Sequence, residues 1–276
     1  MIVRDATTNR TIHTSLFNSA FHRALALAAP VCLTTTLQAA PNWDVVGVQL
    51  GMSEQQAVAA IKAHAPTAQV TMNSLKFSYN DGAKRQDTAA FTSGLIARIS
   101  LTDQDQETLE LEFSAPPLEQ RLISLRRTLT SYANPPALER MMDTLEQKYG
   151  KPATVQTYGI GMISTDLAWV QADRKPCGKV DKGLLLPPVS QTPDALRWYA
   201  VQQKNQLAPA DPSQCSAVLQ AKLKTKSGGS SVVSMEFMMT DPGYGVPAMQ
   251  ATSKWLADQE ANARKARLNS GDTPKL

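Results

Sequence analysis

Hydrophobic and polar positions change period several times along this 276-residue chain. Between Gly51 and Pro66 the apolar residues Ala57, Val58, Ile61 and Ala65 recur at helical spacing. Ser53, with Gln56 three residues on, has the form of a capping box, in which each side chain satisfies the other residue's backbone N–H. Pro66 stops this helix. Alternation with period two follows at Leu75, Phe77 and Tyr79, and Asn80-Asp81-Gly82 supplies a turn. The segments 95–101, 109–113 and 121–125 continue the pattern as an antiparallel run of strands.

The pattern then repeats. A second helix starts at Asn134-Pro135-Pro136, carries an apolar stripe of Leu138, Met141, Met142, Leu145 and Tyr149, and ends at Gly150 and Pro152. Strands are expected at 163–171 around Trp169, 195–203 around Trp198, 214–225 and 231–239, with Lys226-Ser227-Gly228-Gly229-Ser230 as a hairpin loop. The connections 172–194 and 204–213 are expected to cover the sheet. A third helix spans 246–268 with Met249, Trp255 and Leu256, and runs into a polar tail. Two helix-then-antiparallel-strand modules therefore predict an α+β fold, with the helices on one sheet face and a C-terminal helix added. The expected organisation is 1–40 leader, 41–133 first module, 134–245 second module and 246–276 C-terminal helix and tail.

Gly51-Met52-Ser53-Glu54-Gln55-Gln56-Ala57 resembles the Gly-Met-[Ser/Thr]-x-x-[Glu/Gln]-[Val/Ala] helix start of the SmpA/OmlA outer-membrane assembly lipoproteins. Lys148-Tyr149-Gly150-Lys151-Pro152 resembles the helix-ending Gly-x-Pro of that family. The tandem layout is similar to that of the beta-lactamase inhibitor protein family. The resemblance implies a non-enzymatic, exported protein of the bacterial envelope that acts by binding other proteins.

The N-terminus bears on compartment. Arg4, Arg10, His13, His22 and Arg23 stand against one acid, Asp5, and precede the apolar run Ala24–Leu33 and the small residues Ala39 and Ala40. Basic, apolar and cleavage regions in that order read as a secretory signal peptide. The apolar run is too short to span a bilayer, which takes about 20 residues. Val31 before Cys32 is too bulky for a lipidation site, so the expectation is a periplasmic or secreted protein without an integral membrane span.

Taking residues 1–40 away also changes the charge reading. The formal charge of +4 becomes 25 basic against 23 acidic residues, and 41–250 holds 20 of each. Such a body offers no broad basic field to nucleic acid. Arg264, Lys265 and Arg267 in the tail suffice only for weak contact with an anionic surface. The cysteines reduce to Cys177 and Cys215, which in an oxidising compartment read as one disulfide.

Candidate chemistry is sparse. One histidine remains, His64 at the end of the first helix, where it complements the helix dipole. A single imidazole builds neither a multi-histidine metal site nor an obvious nucleophile–base pair. Asp103, Asp105 and Glu107 cluster in a predicted turn, but Thr108 and Ser114 stand where a calcium loop needs Gly and Glu. Glu110 and Glu112 share one face of a strand, a pairing a glycosidase can use. Their interleaving with Leu109, Leu111 and Phe113 reads instead as the wet face of a half-buried strand. Gly159-Ile160-Gly161 lacks the third glycine of a phosphate loop. Met141, Met142, Met235, Met238 and Met239 read as core filler. Trp169, Trp198, Tyr199 and Trp255 are the candidate anchors for a partner. No cofactor is expected. The reading is a periplasmic protein-binding module. The alternatives are an immunity or inhibitor protein against a secreted toxin or hydrolase, and a carboxylate-dependent cell-wall glycan hydrolase.

Overall fold

The computed structural model describes residues 43–102, 105–130, 135–178, 193–226 and 228–270. The expected leader 1–40, Asp103, Asn134, Ser227 and the residues beyond Ser270 lie outside them. The chain opens with a small hairpin, β1 (Asp44–Val45) and β2 (Val48–Gln49), whose turn is closed by Asp44 Oδ1 accepting from Gly47 N at 2.8 Å. Helix α1 (Glu54–His64) begins at the predicted capping box. Ser53 Oγ accepts from Gln56 N at 3.3 Å, and Gln56 Oε1 accepts from Ser53 N at 2.9 Å.

Six strands follow: β3 (Gln69–Leu75), β4 (Ser78–Asn80), β5 (Arg85–Asp87), β6 (Phe91–Ser100), β7 (Gln106–Phe113) and β8 (Leu122–Thr130). Helix α2 (Leu138–Tyr149) ends at Gly150, whose φ of 80° suits a residue without a Cβ. The second half continues with β9 (Thr154–Tyr158), β10 (Met162–Val170), α3 (Pro193–Lys204), a 3-10 turn at Pro212–Gln214, β11 (Val218–Lys226), β12 (Val232–Thr240) and α4 (Pro242–Asn269).

Strands of both halves form one eight-stranded antiparallel sheet in the order β3-β6-β7-β8-β12-β11-β10-β9. Each half runs from an outer edge to the centre, and the halves meet where β8 pairs with β12, Arg127 opposite Phe237. The class is α+β, with more sheet than the sequence pattern implies. Alternation supplies the core: Leu95, Ala97, Leu109, Leu111, Leu125, Phe237, Leu219, Leu223 and Trp169 join one cluster with Ala57 and Ile61 of α1 and Leu145 of α2. Both module helices therefore cover the same face.

A bulge between Glu112 and Phe113 lets Leu122 and Leu125, three apart, both reach this core. Ile123 between them packs instead on Tyr244 of α4.

Two expectations change, and one strand is added that the sequence pattern did not predict. Residues 195–203 are helix α3, not a strand. Trp198 and Tyr199 carry strand propensity, but Leu196 and Tyr199 stand three apart, so one helical face turns toward the cluster of Cys177, Cys215 and Val246. Strand β9 has no strong alternation of its own and is recruited by pairing with β10. Helix α4 starts at Pro242 rather than 246, because Asp241 caps it (Oδ1 to Tyr244 N, 3.1 Å) and Pro242 occupies its first turn.

Cys177 and Cys215 form the expected disulfide, with a Cα–Cα separation of 5.3 Å, and Lys175 bridges to Cys215 beside it. Among the described residues no helix is long and apolar enough to cross a membrane.

Candidate functional site

The four predicted anchors divide by burial. Trp169 on β10 is 2% exposed, lies edge-on to Tyr149 with ring centroids 5.4 Å apart, and donates from Nε1 to Gly150 O at 2.7 Å. Tyr199 is buried and donates to Pro209 O at 2.6 Å. Their polar atoms are spent inside the fold, as buried Trp and Tyr require. Trp198 packs half-buried against the disulfide cluster, and Trp255 is half-buried on α4.

The predicted acidic turn also resolves differently. Asp105 stays in the β6–β7 turn, but Glu107 belongs to β7 and points into the helix-covered face, 1% exposed. Its Oε1 accepts from Arg127 Nε at 2.6 Å, and its Oε2 lies 3.1 Å from His64 Nε2. His64 closes α1 as expected, and tertiary packing additionally places it against a buried carboxylate. Arg127 lies over the Phe237 ring at 5.7 Å, so the triad joins α1 and both halves of the sheet. Each charge has a partner, as buried ions need.

The other face is built from the residues that alternate with the core. On it Asp166, Lys222 and Glu236 stand in register on β10, β11 and β12. Asp166 accepts from Tyr158 Oη at 2.8 Å and Ser164 Oγ at 3.2 Å, and lies 3.7 Å from Lys222 Nζ. Glu236 accepts from Arg126 Nε at 2.6 Å. Burial alone would push the Lys222 ammonium down, but Tyr158 and Asp166 beside it hold it above the ordinary lysine value. Asp166, Lys222 and Glu236 are half-buried, so these pairs are preorganised more firmly than ordinary surface pairs.

This face opens toward the β9–β10 hairpin. Tyr158 and Met162 are 43% and 46% exposed and Ile160 at the tip is 101% exposed, whereas Val155 on the outer strand, 47% exposed, lies on the helix-covered side. Gly159 and Gly161, with φ of 118° and 78°, make the tight tip that holds Ile160 out. Four of the ten exposed large hydrophobic side chains among the described residues thus lie in residues 155–162.

No protein-family model, curated protein or solved structure matches the chain. The site therefore rests on its own geometry.

Toward α4 the same face closes. Thr240, Ser124 and Glu112 occupy one cross-strand row, and the first two are buried. Glu110 is exposed as a wet-face residue should be, but Glu112 is half-buried. Burial, with a smaller contribution from the Glu110 charge, raises its carboxyl to about 7, and Oε2 is buried without a hydrogen-bond partner among the described residues. Met235 and Met239 fill the helix-covered core, whereas Met238 is buried on the opposite side.

The alternating pattern assigns Tyr158, Asp166, Lys222, Glu236 and Arg126 to sheet faces only once the pairing of strands is known. The one signal in the sequence was Gly159-Ile160-Gly161, an isoleucine set between two glycines.

Proposed function

We propose that this chain is a non-enzymatic protein-binding module of an extracytoplasmic compartment that docks its partner on the open sheet face at the β9–β10 corner. One observation carries the reading: exposed hydrophobic side chains concentrate in this hairpin, beside preformed ion pairs. Tyr and Met are enriched in interface cores, and an apolar centre with a polar rim is the usual anatomy of a docking patch. The Cys177–Cys215 disulfide and the expected leader support a periplasmic or secreted location. The paired edge-to-centre layout supports the likeness to inhibitor-type tandem modules, and so an immunity or inhibitor role as the more specific form of this reading.

The test is recovery of a stoichiometric partner from the native compartment with the exported protein. The triple variant Tyr158→Ser, Ile160→Asp, Met162→Glu should lose it while keeping its circular dichroism spectrum. Absence of any partner, or equal recovery by the variant, overturns the proposal.

One observation favours a second reading. Glu112, kept protonated up to about neutral pH beside Glu110, has the acid character a glycan hydrolase needs. Release of sugars from cell wall that is lost in Glu110→Gln and Glu112→Gln would establish it. No release by the native protein removes it.

A further inference from the structure

Three bases, Arg264, Lys265 and Arg267, lie near the C-terminal end of α4, and by themselves they attract an anionic surface only weakly. The fold brings three more to the same place. Lys76 follows β3, Lys84 stands in the turn of the β4–β5 hairpin, and Arg85 opens β5. The hairpin lies against the far end of α4, where Arg267 donates from Nε to Asp81 O at 3.0 Å, across 186 residues of sequence. Gly82 marks the contact. A Cβ there would stand 3.0 Å from the Arg267 guanidinium and 3.6 Å from Arg264 Cγ. All six basic side chains are exposed.

The acids of these two segments are spent inside the patch. Asp81 is buried, and its Oδ1 accepts from Ala83 N at 2.8 Å and Lys84 N at 2.7 Å, closing the hairpin turn. Asp87 lies 3.6 Å from Arg85, and Glu260 lies 2.9 Å from Arg264. Residues 76–87 and 260–268 together hold six bases against three acids, a net charge of +3. Lys76, Lys84 and Lys265 form no ion pair among the described residues.

One apolar side chain stands among these charges. Leu268 is 65% exposed, and it shares a side of α4 with Arg264 and Lys265, four and three residues before it. A lipid surface uses both features, because the leucine enters the acyl boundary while the long basic side chains reach the headgroups. A nucleic-acid backbone would take the bases and leave the leucine in water.

We propose that the β4–β5 hairpin and the end of α4 form one basic patch that holds the protein against an anionic lipid surface. Clusters of about four to eight Lys and Arg mark such surfaces, a number that α4 alone does not reach and the joined patch does. The hairpin follows β3, at the opposite end of the strand order from the β9–β10 corner. Lipid contact therefore leaves the docking corner free, and the proposal does not depend on the docking reading.

Vesicle flotation of the exported protein tests this. The protein should float with vesicles of phosphatidylcholine and cardiolipin, and not with phosphatidylcholine alone. Binding should fall as salt is added, because exposed charges are screened. Lys76→Gln with Lys84→Gln removes two side chains that hold nothing else in the fold. That variant should bind about tenfold more weakly or worse, with an unchanged circular dichroism spectrum. Lys265→Gln should weaken binding further, and so should Leu268→Ser. Lys224→Gln with Lys226→Gln, on β11 beside the docking corner, should leave it unchanged.

Equal binding to both kinds of vesicle overturns the proposal, as does binding indifferent to the hairpin lysines. Duplex DNA that strips the protein from the vesicles at equal phosphate concentration would make nucleic acid the occupant and overturn it too. None of these measurements involves the protein partner, so failure of the lipid patch and failure of the docking reading are read separately.

Discussion

Arg127 of β8 donates through Nε to Glu107 of β7 at 2.6 Å, across a diagonal of the sheet and beneath α1. Glu107 is almost wholly buried, and its second oxygen faces His64. Removing one partner from such a pair strands a buried charge, whereas removing both does not. Arg127→Met should therefore cost about 3–5 kcal/mol in urea unfolding, and the Arg127→Met, Glu107→Leu double variant much less. A double variant no more stable than the single one would contradict this account.

Glu112 makes the fold pH-sensitive in the unusual direction. Its carboxyl titrates at about 7 in the native protein against 4.5 as a free group, so the folded state holds the proton more tightly. The stability tied to this group is complete below about pH 4.5 and is lost as pH rises through about 7. The upper limit is about 3 kcal/mol. Glu112→Gln should flatten the stability profile between these pH values and raise stability at pH 8, measured by denaturant midpoints across pH.

The Cys177–Cys215 bridge closes a loop that contains α3. The chain-entropy relation gives about 4 kcal/mol for a loop of about 39 residues. The Cys177→Ala, Cys215→Ala variant should lose stability of that order. Hydrogen exchange should show α3 losing protection before the central strands do, because α3 packs mainly on the disulfide cluster and α4.

Gly94 of β6 pairs with Glu112, and a Cβ at this position would stand 2.5 Å from Leu111 O. The obstacle is backbone of the neighbouring strand, which cannot swing aside. Gly94→Ala should cost about 1–3 kcal/mol by forcing β6 and β7 apart. Thermal unfolding reads this directly.

Ile160 gives the opposite expectation. Its side chain is fully exposed, so Ile160→Asp should change unfolding free energy by no more than about 0.5 kcal/mol. A large loss on thermal or urea unfolding would mean that the tip packs on something, contrary to the docking role proposed for it.

Local chemistry made much of the fold legible in the sequence. The Ser53–Gln56 box, the Gly150 stop and the strict alternation at Leu109, Leu111 and Phe113 act over a few residues, so they fixed α1, the end of α2 and the face of β7 before any packing was known. With Cys32 assigned to the expected leader, two cysteines remain, and their pairing as Cys177–Cys215 was legible.

Packing decided the rest. Residues 195–203 have the aromatic content of a strand, yet the disulfide cluster rewards a helical face. β9 exists because β10 offers it a partner. The aromatic residues that composition marked as anchors, Trp169 and Tyr199, are consumed by the cores, while the exposed corner is made of Tyr158, Ile160 and Met162 around two glycines. Glu107 and Glu112 lie five residues apart on β7, one ion-paired in the core and one isolated on the opposite side. The alternation of the strand dictates that they face opposite ways. Which of those sides is covered, and by what, is a property of the assembled sheet.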